Sequence, residues 1–140
     1  MAKFTICGIA GSLRRESLNK ALLSAVAGAV SDLADVRIAS IEGVPLYDAD
    51  VEAAEGIPSA VASLADEIRG ADALLIVTPE YNAGVPGVLK NALDWLSRVT
   101  PSVFAGRPTA MMGASPGRLG TPRAQMQLRN NLANLDARVT

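Results

Sequence analysis

The chain has 140 residues and no histidine. That absence removes imidazole metal sites, Ser-His and Cys-His dyads, and imidazole acid–base chemistry together. A single cysteine, Cys7, lies in an apolar run. No internal disulfide is possible, and a reduced, cytoplasmic setting is expected. Aromatic residues make up only 4%, so the core must be built from Ala, Val, Leu and Ile. Charge of neither sign dominates: 13 basic and 14 acidic side chains leave a net charge of -1. This argues against nucleic acid as a partner, which needs a clustered basic face. No apolar stretch approaches the roughly 20 residues of a membrane helix. The leading segment also lacks a signal-peptide pattern, since Arg14, Arg15 and Glu16 follow its apolar run rather than precede it. Two phosphate-binding fingerprints are missing as well. Gly8 and Gly11 are followed by no glycine until Gly28, so there is no G-x-G-x-x-G, and no G-K-[ST] occurs anywhere.

What is present is an alternation. Residues 3–10 (KFTICGIA) read as a buried strand without helical spacing, and 17–33 as an amphipathic helix with apolar residues at i, i+3 and i+4. Residues 35–41 read as a strand. The acidic, Gly- and Pro-punctuated stretch 42–58 reads as a loop. A helix over 59–69 leads to the strongest strand, DALLIVT, at 72–78. A turn over 79–84 precedes a helix over 85–98, with Pro86 in its first turn. Residues 107–114 form a fourth strand, 115–121 a glycine-rich loop and 122–135 a fourth helix. Residues 136–140 look like the start of a fifth strand that is cut off. Alternating strands and helices predict βαβ units and a parallel sheet with helices on both faces. At this length a single domain, 1–140, is expected.

In such a sheet, ligands sit beyond the carboxyl ends of the strands. Three polar, Gly- or Pro-rich loops occupy those ends. The first, Gly11 to Asn19, opens a helix whose free N–H groups and dipole favour an anion. Ser12, Ser17 and Asn19 add neutral donors, and Arg14 offers charge-assisted bonds. This set suits one terminal phosphate better than a dinucleotide. Ordinary helix capping with solvated arginines remains the alternative reading of that loop. In the second, TPEYNAG, Pro79 stiffens the strand exit, while Asn82 and Gly84 tolerate a left-handed backbone. Tyr81 supplies an apolar face with a polar tip, and Glu80 a hydrogen-bonding carboxylate toward a ligand or a partner subunit. A tight turn with a locally packed Tyr is the alternative there. Trp95 lies among Leu89, Leu93 and Leu96, which points to core or subunit interface. Cys7 reads as a small buried hydrophobe.

GSLRRESLN followed by PEYNAGVPGVLKNALDW resembles the NADPH-dependent FMN reductase family, the flavodoxin-like group that includes quinone, chromate and azo-compound reductases. GASPGRLGTPRAQMQLR resembles that family's third block, so the likeness covers nearly the whole chain. The resemblance implies a flavodoxin-like three-layer α/β/α sandwich with parallel sheet order 2-1-3-4-5, its fifth strand truncated or incomplete. It implies FMN as cofactor and NADPH or NADH as electron donor. By position, Ser12, Arg14, Ser17 and Asn19, with backbone from Leu18, would hold the FMN phosphate. Pro79, Glu80, Tyr81 and Asn82 would line the flavin ring, and Ser115 and Gly117 would close its other side. Arg118 is the candidate for the NADPH phosphate. The implied function is an enzyme's, ping-pong hydride transfer from nicotinamide through FMN to a small acceptor such as a quinone, an azo compound or chromate. Family members usually form homodimers or homotetramers and run further than Thr140. The rival readings are a flavodoxin-type electron carrier and a flavin-free phosphate-binding module.

Overall fold

The computed structural model describes residues 3–140. Its elements are β1 (Phe4–Ala10), α1 (Leu18–Ala29), β2 (Ala34–Ala39), α2 (Ala49–Glu55), α3 (Ser59–Arg69), β3 (Ala73–Val77), α4 (Gly87–Leu96), β4 (Pro108–Met112), α5 (Pro122–Asn134) and β5 (Arg138–Val139). The five strands form one sheet in the order β2-β1-β3-β4-β5, as the family resemblance implies. Every pairing between neighbouring strands is parallel. β5 is two residues long, with Arg138 and Val139 paired to Pro108 and Thr109.

Strand direction decides which face each helix covers. The step from β1 to β2 runs one way across the sheet, and the later crossovers run the other way. Right-handed crossovers therefore put α1 alone on one face and α3, α4 and α5 on the other. The packing shows this division. Cys7, Ile9, Leu74 and Ile76 bury against α3, α4 and α5 through residues such as Ile68, Leu93 and Leu128. Ala10, Leu75 and Val77 bury against Leu23 of α1. Trp95 is fully buried on α4, meets Tyr47 edge-on with ring centroids 4.9 Å apart, and donates from Nε1 to the Pro45 carbonyl at 2.8 Å. It is a core residue.

One expectation fails. The stretch 42–58 is not all loop, because it contains α2. Asp48 caps that helix by accepting from the Asp50 N–H at 2.8 Å, and Asp50 and Glu52 favour its first turn through the helix dipole. The acidic run that reads as loop is a capped helix start. It is pinned from α4, where Asn91 accepts from Tyr47 N–H and donates to Pro45 C=O, both at 2.8 Å. Arg98 and Tyr47 both bond Glu52. These bonds outweigh burial and hold the Glu52 carboxyl below its ordinary range. Element ends otherwise shift by a few residues, most at α1, which stops at Ala29 rather than Leu33.

Candidate cofactor site

The first loop leaves β1 at Ala10 and turns into α1 at Ser17. Ser17 is the N-cap, and its Oγ accepts from the N–H groups of Asn19 and Lys20. Ser12, 3% exposed, accepts from the Arg14 N–H at 3.2 Å. Both hydroxyl protons remain free to donate outward. The Arg14 guanidinium has no hydrogen-bond or ion-pair partner among the described residues, and neither has the Leu18 N–H. Asn19 departs from expectation. Its amide is buried and turned sideways, donating to Ala114 C=O at 3.0 Å and accepting from Ala114 N–H at 2.8 Å. It ties the first loop to the third rather than offering its donor to a ligand.

The second loop leaves β3 through Thr78, whose hydroxyl donates to Pro79 C=O at 2.8 Å. Tyr81 and Gly84 exchange both backbone hydrogen bonds at 3.1 Å, closing a tight turn. Glu80 also departs from expectation, for its side chain lies behind this turn. Its carboxylate accepts from the N–H groups of Arg123 and Ala124 at 2.8 and 3.0 Å, and from Arg123 Nε at 2.6 Å. Burial pushes that carboxyl up, but these bonds outweigh it and hold it below its ordinary range.

The third loop follows β4. At Gly113 a Cβ would overlap the Thr121 side chain and the Thr78 carbonyl, so only glycine lets the second and third loops come this close. Ser115 Oγ accepts from the Gly117 N–H at 3.0 Å.

Together the loops enclose a cavity of about 110 Å³ at the carboxyl edge of the sheet. Tyr81, about half exposed, stands in its lining. Ser12, Arg14, Ser17, Leu18, Asn19, Pro79, Glu80, Tyr81 and Ser115 all line it. Asn82, Gly117 and Arg118 do not. Ala114 and Pro116 do, and sequence reasoning missed both because neither side chain carries chemistry; their only signal is adjacency to Ser115. A larger cavity, about 250 Å³, lies across Ser12 between α1 and the end of β2. Lys20 lines it, but it has neither a guanidinium nor a free helix N-terminus. Of the two, only the smaller cavity brings together donors of the kind that fit the phosphate of a cofactor such as FMN: a free guanidinium, two hydroxyls and an unpaired helix N–H. Its one acidic lining residue, Glu80, turns its charge away.

No helix among the described residues is long and apolar enough to cross a membrane, and no group of His, Cys, Asp and Glu there could hold a metal ion.

The model for the family NADPH-dependent FMN reductase matches residues 4–140. An NAD(P)H-dependent FMN reductase of Pseudomonas aeruginosa is 50% identical over 131 residues, covering 94% of this chain and 70% of that protein. A quinone reductase of Escherichia coli K12 is 44% identical over 138 residues, covering 98% of this chain and 73% of the relative. Among solved structures, the flavoenzyme NAD(P)H:(acceptor) oxidoreductase FerB of Paracoccus denitrificans superposes with a TM-score of 0.89 at 35% identity, covering 98% of this chain and 75% of that one.

Proposed function

Since the chain belongs to the NADPH-dependent FMN reductase family, we propose that it holds FMN on these three loops and passes electrons from NAD(P)H to a quinone-type acceptor. The observation that carries this reading is the convergence of a free guanidinium, two hydroxyls and an open helix N-terminus in one cavity at the strand ends. FMN bound there would supply the redox chemistry, accepting hydride from the nicotinamide and returning electrons to an acceptor that replaces it in a ping-pong exchange. The chain's own part is binding and orientation. Arg14, Ser12, Ser17 and the Leu18 N–H would hold the phosphate. The Pro79–Asn82 turn, with Tyr81, and Ser115, with Gly117, would border the ring. No protein nucleophile or base is needed, which fits a chain without histidine. We place the enzyme in the cytoplasm, as a homodimer or homotetramer; light scattering on the purified chain tests the assembly.

The test of function is direct. The purified protein should be yellow, or turn yellow with added FMN, and should oxidise NADPH steadily with a quinone. A yellow protein that turns over almost no NADPH is a carrier, and a colourless one that takes up no FMN refutes both flavin readings. Arg14→Ala should weaken FMN binding by about 1.5–3 kcal/mol, the range for a hydrogen bond to a charged group. Unchanged affinity by fluorescence titration would remove Arg14 from the phosphate.

A further inference from the structure

The turn beside the cavity adopts a backbone that its residues do not favour. Asn82 and Ala83 both have left-handed conformations, with φ of 50° and 62°. Asn tolerates this region, but alanine is disfavoured there because its Cβ crowds the following carbonyl. Two adjacent residues stay so only if the surroundings over-determine them.

What holds them is α5. On the entry side, Glu80 is fixed to the first turn of α5 by the N–H groups of Arg123 and Ala124 and by the Arg123 guanidinium, and its side chain is 5% exposed. On the exit side, the Val85 N–H donates to Gln127 Oε1 at 2.7 Å. That same oxygen lies 2.8 Å from where a Cβ on Gly84 would sit, so the turn rests directly on Gln127. Arg123 and Gln127 are four residues apart and share one face of the helix. The two flanks of the turn are thus clasped by two successive turns of one rigid element. α5 needs the contact in return: Thr121 makes no side-chain cap, and no acidic residue stands in its first turn. Glu80 supplies the missing charge from another loop.

We infer that Glu80 and Gln127 are positioning residues, which set the ring-side wall of the flavin site from behind through α5, and that Glu80 is not itself a flavin ligand. This rests on the flavin reading above. The clasp presents the turn already in its bound shape, so its contribution appears as affinity for the ring rather than for the phosphate.

The experiment compares FMN with riboflavin, which lacks the phosphate, on the wild-type chain and on Glu80→Ala, Glu80→Gln, Gln127→Leu, Gln127→Glu and Arg14→Ala. Amide exchange across residues 81–85 is followed alongside. Glu80→Ala and Gln127→Leu should each weaken FMN and riboflavin by the same factor, roughly tenfold, the loss expected when a turn no longer held in place must be ordered on binding. They should also speed exchange across the turn. Gln127→Glu keeps an acceptor for Val85 and should stay near wild type, while Glu80→Gln should be intermediate. Arg14→Ala should weaken FMN alone. If Glu80→Ala does not fold, Glu80→Gln and Gln127→Leu carry the comparison. Unchanged riboflavin affinity and unchanged exchange in the clasp variants would overturn the inference, as would a loss confined to FMN. A wild-type chain that binds neither flavin refutes the flavin reading instead, and the exchange rates then decide whether the clasp holds the turn.

Discussion

Cys7 is 1% exposed in the middle of β1, packed on the face that α3 and α4 cover. Burial, with a smaller push from Glu67, raises its thiol from 9.0 to about 11, and Arg107 opposes only in part. A group whose pKa is higher in the folded state adds stability below its unfolded value and loses it as pH rises through the folded value. Stability should therefore decline between pH 9 and about 11 more steeply than in Cys7→Ala, which is the less stable of the two at pH 7, where the thiol is neutral. Urea melts at pH 7, 9 and 10.5 measure this, and parallel curves would disprove it. The same burial predicts no reaction with thiol reagents at neutral pH until the protein unfolds. This reading needs only the sequence, since a lone cysteine in an apolar run is a buried hydrophobe. Two other residues could not be read that way. Asn19 and Glu80 have the residue types of ligand donors and stand in the loops that line the candidate site. What commits them elsewhere is a partner 95 residues away for Asn19 and 43 away for Glu80.

At the scale of elements, the three loops are one connected structure rather than three neighbours. Asn19 ties the start of α1 to the loop after β4, and Glu80 ties the loop after β3 to α5. Asn19→Ala would orphan the N–H and C=O of Ala114 and separate the first and third loops. A loss of about 2–3 kcal/mol is expected for two hydrogen bonds at a partly buried backbone site. A thermal melt of the flavin-free protein checks it, since that state reports the tie without any ligand effect. The strands and most helices were legible because their periodicities are local: DALLIVT has no helical spacing and 59–69 has little else. α2 was hidden because it is short, its apolar residues are Val51 and three small alanines, and none is buried. Its existence depends on Asp48 as cap and on Asn91, Trp95 and Arg98 of another helix region. One clue to Glu80 was present: a helix that opens on Thr121-Pro122 without an acidic first turn leaves N–H groups and a dipole that a carboxylate from another loop can meet.

At the scale of the molecule, the crossover rule leaves the sheet unevenly dressed. Three helices cover one face, whereas α1 covers only the β2-β1-β3 part of the other. Beyond α1 an almost wholly apolar groove of about 320 Å³ runs over β3 and β4, bordered by Phe4, Ile6, Val26, Leu75, Ala110 and Met112. β4 therefore separates two environments by simple alternation, with Ala110 and Met112 toward the groove and Met111 toward the three-helix core. Exposed apolar surface of this kind should bind the dye ANS in the folded 140-residue chain. Ala110→Glu, partly buried at the open groove where the longer side chain can extend toward water, should cost about 1 kcal/mol and reduce dye binding. Met111→Glu, one residue along the same strand, would push a carboxylate against the packed core. It should cost at least about 2 kcal/mol and leave dye binding to the folded state unchanged. Urea unfolding with a dye titration on each variant separates the two faces. Equal losses at both positions would mean that the groove is covered in solution and that the division of the helices between the faces does not leave β4 open.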